Sequence, residues 1–191
     1  MKEGGTTPDF EITKAVRDIL FIDLNVMIRP RGGNFVYSDF EFEQMKTEIE
    51  QFKKLKVDGF VFGILKEDGS LNKEQNAELV ALANPLPCTF HRAFDGIKNK
   101  FQALESLIEC GFKTILTSGV ETNVTEGIDV LATLTEKAND RITIMPGGGL
   151  RSTNIEIKKE KTRAVFYHSS AITDSSEIAN GNEVKALKAN L

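Results

Sequence analysis

The sequence predicts an α/β protein of the (β/α)8 TIM-barrel type, truncated at its amino end so that about six strands remain. Helical and strand-like segments alternate with little loop between them, which is typical of parallel α/β folds. No glycine-rich fingerprint follows the first strand, as it usually does in an open doubly wound sheet. The chain has 191 residues, its first regular element is a helix with no strand before it, and a complete barrel takes about 250 residues. A single domain is expected over residues 1–191.

The predicted strands are short segments, rich in β-branched or aromatic residues and closed by Gly, Pro, Ser or Arg. They are Ile22–Arg29, Gly59–Leu65, Cys88–Arg92, Thr114–Ser118, Ile142–Pro146 and Ala164–Ser169. Apolar residues spaced three or four apart predict helices between them. These are Asp9–Ile19, Asp39–Lys56, Leu71–Ala83, Lys100–Cys110, Val124–Ala138 and Ser152–Lys161, the second with Ser38 or Asp39 as its N-cap.

Composition excludes several classes of protein. The formal net charge is -4, with 24 basic and 28 acidic residues interspersed, so no basic face for nucleic acid is expected. No apolar run is long enough to span a membrane, and the first residues do not resemble a signal peptide. The two cysteines are spaced neither as a disulfide framework nor as a metal knuckle. A cytoplasmic protein is therefore predicted, with no nucleic-acid or membrane partner.

Two arginines close the first predicted strand, in the segment VMIRPRGGNFVYS (26–38). Strand alternation places Asn25, Met27 and Arg29 inside the barrel and Arg31 at its mouth. An arginine pointing inward requires an anion, which either a ligand or an acidic neighbour supplies. Both an anion clamp and a structural ion pair remain open at this point.

A second cluster, TFHRAFD (89–95), places an imidazole beside a guanidinium and a carboxylate at another strand end. His91 is the candidate general acid or base, and Arg92 and Asp95 complete the candidate catalytic set with the two arginines above. The alternative is a hydrogen-bonded interior histidine that ties two strands together. Alternation places Cys88 on the opposite face from His91, so these two should not share a metal.

Three more strand ends carry hydroxyls and glycines with backbone N–H groups that can bind an oxyanion. If two strands are missing, the second and third of these loops follow strands seven and eight, where many barrels bind phosphate. The alternative is that the glycines only form tight turns. The candidate ligand-binding residues are Thr117, Ser118, Gly147, Gly148, Gly149, His168 and Ser169.

No metal site is predicted, because the chain lacks His-x-His, HExxH and any cysteine pair at ligand spacing. Met27 and Met145 are expected to point inward, and thioethers suit Cu(I). Interior methionines, however, more often fill gaps in a core.

Seven segments in order resemble the CutC family of copper homeostasis proteins. The most specific are MIRPRGG (27–33) and TFHRAFD (89–95), supported by EGGTTP (3–8), DGFVFGIL (58–65), ILTSG (115–119), IMPGGGLR (144–151) and HSSA (168–171). The resemblance implies a cytoplasmic, homo-oligomeric (β/α)8 barrel with a role in copper handling and no settled reaction. Members normally begin with a βαβ segment whose cysteines are the proposed copper ligands. This chain starts after that segment, so copper binding does not carry over to Cys88 or Cys110, and Val120 replaces a glycine common after TSG.

Three hypotheses of function follow. The first is copper homeostasis, with copper as the only cofactor suggested and only by the resemblance. The second is a barrel enzyme acting on a small anionic or phosphorylated metabolite, with Arg29 and Arg31 as the clamp and His91 as acid or base. The third is an internal salt-bridge lattice without a ligand.

Overall fold

The strands of the computed structural model, which describes residues 4–176 and 178–191, form one parallel sheet in the order β1-β2-β3-β4-β5. Glu3, the first residue of the family-like segment at 3–8, lies outside the described residues. A helix crosses over between successive strands, which is the repeating unit of a (β/α)8 barrel. The strands are β1 Asn25–Met27, β2 Gly59–Phe62, β3 Cys88–Phe90, β4 Thr114–Thr117 and β5 Thr143–Pro146.

Seven α-helices and one short 3-10 helix lie in the described part of the chain. The 3-10 helix, Arg92–Gly96, directly follows β3 and carries part of the candidate site. The α-helices are α1 Phe10–Ile19, α2 Asp39–Lys53, α3 Lys73–Ala83, α4 Lys100–Cys110, α5 Ile128–Ala138, α6 Ile155–Thr162 and α7 Gly181–Ala189. None of them is long and apolar enough to cross a membrane.

The two faces of the sheet have different environments. On β3, Cys88 and Phe90 are buried against the helices, whereas Thr89 between them is half-buried on the concave face. Phe112 packs edge-on against Phe90, with ring centroids 5.4 Å apart. The strand alternation expected from the sequence is confirmed here, because the residues predicted to face the helices are the buried ones.

Helix α2 begins where its sequence predicts. Ser38 accepts a hydrogen bond from the Glu41 N–H, and the Glu41 carboxylate accepts one from the Ser38 N–H, which together form a capping box. Phe42, Met45 and Ile49 are buried along one face of the helix. This apolar face holds α2 on the sheet and thereby fixes the loop that carries Arg31.

The sixth predicted strand, Ala164–Ser169, is wrong as a strand. Only His168 pairs with the sheet, by a single parallel bridge to Gly147 and a hydrogen bond from its N–H to the Pro146 carbonyl. Val165 and Phe166 are exposed, so this segment lacks the buried faces that stabilise a parallel strand. In the described residues β1 and β5 are therefore the two edges of the sheet. Exposed apolar side chains lie just before β1, at Phe21 and Ile22, and just before the bridge of His168 to the end of β5, at Val165 and Phe166.

Candidate functional site

Arg29 lies directly beyond β1 and is buried, with 5% of its surface exposed. Its Nη1 donates to the Gly5 carbonyl at 2.9 Å and its Nη2 to the Gly33 carbonyl at 2.8 Å. The Arg29 backbone is paired too, because its N–H donates to the Thr7 hydroxyl and its carbonyl accepts from the Thr7 N–H. The guanidinium thus fastens the amino-terminal segment and the loop after β1 to the end of the strand.

Arg31, two residues further on, lies on the loop itself. Its Nε donates to a Glu41 carboxylate oxygen at 2.6 Å, and its Nη2 donates to the Val36 carbonyl at 2.7 Å. Hydrogen bonding from the Ser38 N–H and from Arg31 lowers the pKa of Glu41. Of the two alternatives left open by the sequence, this geometry favours structural bonding over an anion clamp for both Arg29 and Arg31.

His91 caps the 3-10 helix from the end of β3. Its Nδ1 accepts a hydrogen bond from the Ala93 N–H at 3.3 Å, and only 4% of the residue is exposed. Burial, and secondarily the charge of Arg29, lower the pKa of His91 to about 3. The imidazole is therefore neutral at pH 7, with its proton on Nε2. This environment favours a neutral donor over the acid or base role expected from the sequence.

Two residues that the sequence did not single out, Phe35 and Gly63, shape the surroundings of His91, and a third, Tyr37, lies beside Arg31. The Phe35 ring lies 4.7 Å from the imidazole, and the Arg29 guanidinium carbon lies 4.9 Å from the same Phe35 ring. A Cβ on Gly63 would lie 2.8 Å from the His91 Nδ1, so only glycine leaves room for the ring. Tyr37 is buried, and desolvation raises its pKa. The sequence offered one signal, which is that Gly63 is a glycine inside the predicted strand Gly59–Leu65, next to the predicted strand that carries His91.

Arg92 and Asp95 form the second half of the candidate catalytic set. The Arg92 Nε donates to Asp95 Oδ2 at 2.7 Å, and its Nη2 donates to the Ser118 hydroxyl at 2.9 Å. Asp95 also accepts hydrogen bonds from the Thr117 hydroxyl, from the Ser118 N–H at 3.1 Å and from the Val120 N–H at 3.3 Å. One carboxylate therefore joins the end of β3 to the end of β4.

The glycine loop after β5 approaches this pair directly. A Cβ on Gly148 would lie 3.2 Å from the Arg92 guanidinium carbon and 3.2 Å from the Ser118 Cβ. His168 lies against Gly147, remains exposed at the edge of the sheet, and has its pKa lowered by desolvation and by Arg92. Ser169 donates its hydroxyl proton to the Leu150 carbonyl at 2.8 Å, which ties the last loop to the glycine loop.

The structure thus separates the candidate residues into two clusters. The mouth cluster contains Arg92, Asp95, Thr117, Ser118, Gly147, Gly148, Gly149, His168 and Ser169. The strap cluster contains Arg29, Arg31, Phe35, Tyr37 and His91. Two surface clefts of about 540 Å³ each lie outside the mouth cluster, one between α5 and α6 and one beside the strap cluster, where Phe35 and Leu65 line it.

The described residues do not fit a resident metal ion. No group of three His, Cys, Asp or Glu side chains among them is placed to hold one. Burial raises the pKa of Cys88 to about 12, so its thiol stays protonated, and the thiolate is the form that binds metal. Met27 and Met145 are both half-buried on inward-facing positions of the two edge strands.

Parallel strands joined by helices, with polar side chains gathered at the carboxyl ends of the strands, define a barrel-type α/β protein. The chain belongs to the CutC family, whose family model matches residues 1–173.

Relatives and solved structures agree with this assignment. The chain is 45% identical over 171 residues to the human copper homeostasis protein cutC homolog, a match that covers 90% of this chain and 63% of that protein. It is 46% identical to the mouse homolog, covering 88% of this chain and 62% of that protein. The chain therefore spans less than two thirds of the length of these relatives.

The crystal structure of the copper homeostasis protein CutC from Streptococcus agalactiae superposes with a TM-score of 0.84 at 36% identity, covering 87% of this chain and 83% of that one. N-(5'-phosphoribosyl)anthranilate isomerase from Pyrococcus furiosus superposes with a TM-score of 0.63 at 13% identity, covering 99% of this chain and 88% of that one. The second likeness shows the fold alone. Together the two confirm the predicted TIM-barrel class.

Proposed function

We propose that this protein takes part in copper homeostasis in the cytoplasm. The observation that carries the proposal is the 45% identity to a human protein named for that role. The role is tested in cells that lack the gene, grown over a series of copper concentrations, with zinc as the control metal. We expect altered copper tolerance that the wild-type gene restores. Growth and copper content equal to those of the parent strain would remove the proposal.

Direct copper binding by the described residues is tested separately. A Cu(I) titration under reducing conditions, against a competing chelator, compares the wild type with Met27→Leu/Met145→Leu and with Cys88→Ser/Cys110→Ser. Because the buried thiols are protonated and no three-ligand group is formed, we expect no tight stoichiometric binding by these residues. Tight binding that either double variant abolishes would establish those side chains as copper ligands.

A second candidate function is the binding of a small anionic, phosphate- or carboxylate-bearing metabolite at the mouth cluster. The Arg92 side chain is 43% exposed, and two of its three nitrogens already bond to Asp95 and Ser118. Its Nη1 and the Gly148 and Gly149 N–H groups have no acceptor within the described part of the chain. An oriented guanidinium beside open backbone N–H groups is the arrangement that binds oxyanions in proteins.

This candidate anion site differs from the one expected from the sequence, because Arg92 would bind the anion in place of Arg29 and Arg31. The guanidinium groups of Arg29 and Arg31 donate to backbone carbonyls, and that of Arg31 also donates to Glu41. The Arg92 guanidinium, in the mouth cluster, donates to Ser118 through Nη2 and has its Nη1 available to a ligand. Asp95 fixes the orientation of Arg92, which reduces the entropy lost on binding.

The test is a titration with inorganic phosphate, followed by thermal shift and by backbone NMR. Arg92→Ala should abolish the response of residues 147–149. Arg141→Ala is the matched control, because the Arg141 side chain is 44% exposed and pairs with Glu105 at 2.7 Å, outside both clusters. Equal phosphate binding by the two variants would remove the anion site.

Homo-oligomeric assembly is also proposed, on the family resemblance. Light scattering on a size-exclusion column measures the mass in solution. A mass equal to one 21.2 kDa chain at all concentrations would contradict the proposal.

A further inference from the structure

The imidazole of His168 lies against the glycine loop that follows β5. The His168 backbone is fixed there by the bridge to Gly147 and by the hydrogen bond from its N–H to the Pro146 carbonyl at 2.9 Å. A Cβ on Gly147 would lie 3.0 Å from the His168 Cβ and 3.3 Å from the His168 Nδ1. Since Gly147 has no side chain, the imidazole packs directly on the backbone of the loop.

Arg92 lies against the next residue of the same loop. A Cβ on Gly148 would lie 3.2 Å from the Arg92 guanidinium carbon and 3.3 Å from Arg92 Nη1, the nitrogen proposed above to bind the anion. Consecutive Cα atoms are about 3.8 Å apart. The imidazole of His168 and the guanidinium of Arg92 therefore pack on neighbouring residues of one short loop.

The charge of Arg92 acts on His168. Desolvation first, and the Arg92 guanidinium second, lower the pKa of His168 below its usual value of 6.5, so the ring is neutral at pH 7. Two other charged side chains lie at this end of the sheet: Asp95 is bonded to Arg92 Nε, and Arg151 donates to the Ile172 carbonyl. Within the described part of the chain, Arg92 is thus the charged group that opposes protonation of His168.

An anion bound at Arg92 reverses this effect when it carries more than one negative charge. A carboxylate only offsets the charge of the guanidinium, whereas a phosphate monoester or sulfate dianion exceeds it. A neighbouring negative charge stabilises the protonated imidazole, in which both ring nitrogens are donors. A charge-assisted hydrogen bond from the imidazolium to a ligand oxygen is also stronger than one from a neutral ring.

We propose that His168 is the second cation of the mouth cluster, which takes up a proton when a dianionic oxyanion binds at Arg92. His168 is thereby a specificity-determining residue, and the ligand class is a phosphate monoester or another dianion in preference to a carboxylate. This assignment rests on the anion-binding function proposed above for the mouth cluster.

The experiment uses sulfate and formate as probes on the full chain, because sulfate is a dianion and formate a monoanion throughout the range from pH 5 to pH 8. The chain contains two histidines, and His168→Gln assigns their imidazole NMR signals. We expect saturating sulfate to raise the pKa of His168 by about one unit, and formate to raise it less. The buried His91 is the internal control and should stay neutral with both probes.

Affinities provide the second measurement. If the pKa of His168 rises by about one unit on binding, sulfate should bind up to about tenfold more tightly as the pH falls from 8 to 5. Formate binding should depend less on pH. In His168→Gln, the affinity for sulfate should no longer change with pH, and the preference for sulfate over formate should be smaller than in the wild type.

The interaction between Arg92 and His168 is tested without any ligand. Arg92→Ala removes the charge that opposes protonation and should raise the pKa of His168, whereas Arg141→Ala should leave it unchanged. An unchanged His168 pKa in Arg92→Ala would overturn the inference.

The outcomes separate the two proposals. Absence of both phosphate and sulfate binding by the wild type removes the anion site and this inference together. Sulfate binding with an unshifted His168 pKa, or with an affinity that does not depend on pH, removes the inference and leaves the anion site intact. The wild-type signals and the Arg92→Ala comparison decide the matter if His168→Gln does not fold.

Discussion

Arg29 and Arg92 occupy equivalent places, each at the carboxyl end of a parallel strand, but their surroundings differ. Arg29 is buried and donates to two backbone carbonyls, whereas Arg92 is held by one carboxylate and one hydroxyl with its side chain 43% exposed. The Arg29 guanidinium holds chain segments together. The Arg92 guanidinium is held in one orientation and keeps N–H groups that a ligand can bind. Position at a strand end therefore does not decide how exposed a guanidinium is or what it binds; the acceptors around it do.

Among the substitutions considered, Arg29→Ala is expected to lower the free energy of unfolding most. Arg29→Ala leaves the Gly5 and Gly33 carbonyls without their charged donor, and should lower the free energy of unfolding by about 2–4 kcal/mol. Urea unfolding measures this change. Arg31→Ala is the internal control and should cost less, because the Arg31 side chain is 41% exposed. Equal costs would mean that burial is not what distinguishes Arg29.

The next effect is the part of the pH dependence of stability that comes from His91, in the strap cluster. The pKa of His91 falls from 6.5 to about 3 on folding, so the unfolded chain binds the proton more tightly. His91 therefore lowers stability as the pH falls below 6.5, by about 2 kcal/mol between pH 7 and pH 5.

Urea unfolding at the two pH values, in wild type and His91→Phe, isolates this contribution. The variant should show the shallower dependence, and His168→Gln serves as the control for the other histidine. Parallel curves for wild type and His91→Phe would place the imidazole in a solvated environment.

A smaller loss is expected on neutralising the carboxylate of the mouth cluster. Asp95→Asn turns one acceptor oxygen into a donor that faces the donors of Arg92 and Ser118, and should cost about 1–3 kcal/mol. Because Arg92 loses its orientation, phosphate affinity should fall as well. Calorimetric titration with phosphate checks this, and a fully retained affinity would show that Asp95 does not position Arg92.

The smallest stability effect is expected for Arg92→Ala, under about 1 kcal/mol, because the Arg92 side chain is 43% exposed and Asp95 keeps its hydrogen bonds from Thr117, Ser118 and Val120. The midpoint of thermal unfolding should be similar for Arg92→Ala and Arg141→Ala, although only Arg92→Ala should lose phosphate binding. A destabilisation as large as that of Arg29→Ala would show that Arg92 has a structural role like that of Arg29, and would contradict the difference drawn between the two arginines.

The strands were predictable where both faces are buried. Cys88–Phe90 alternates clearly because Cys88 and Phe90 face the helices, and Ser38, the N-cap of α2, was one of the two N-cap residues predicted for that helix. Helix α7 was not predicted, and the segment at 164–169 was predicted as a strand, because both lie where few neighbours constrain the chain.

The site was predictable in its residue types and not in its partners. Backbone carbonyls leave no signature in a sequence, so nothing indicated that Gly5 and Gly33 would occupy Arg29. The burial of His91 likewise depends on Phe35 and Gly63, which come from two other elements of the fold. Arg92, Asp95 and Ser118 meet because the ends of parallel strands share one edge of the sheet, and that was foreseeable.

The two buried thiols supply a probe of native-state opening. Cys88 lies beneath the helices and Cys110 at the end of α4, and burial raises the pKa of each. A thiol reagent reacts with such side chains only when the chain around them opens, so the labelling rate reports the free energy of that opening. The wild-type chain thus carries a reporter on the helix-covered face of β3 and another at the end of α4, without any introduced label.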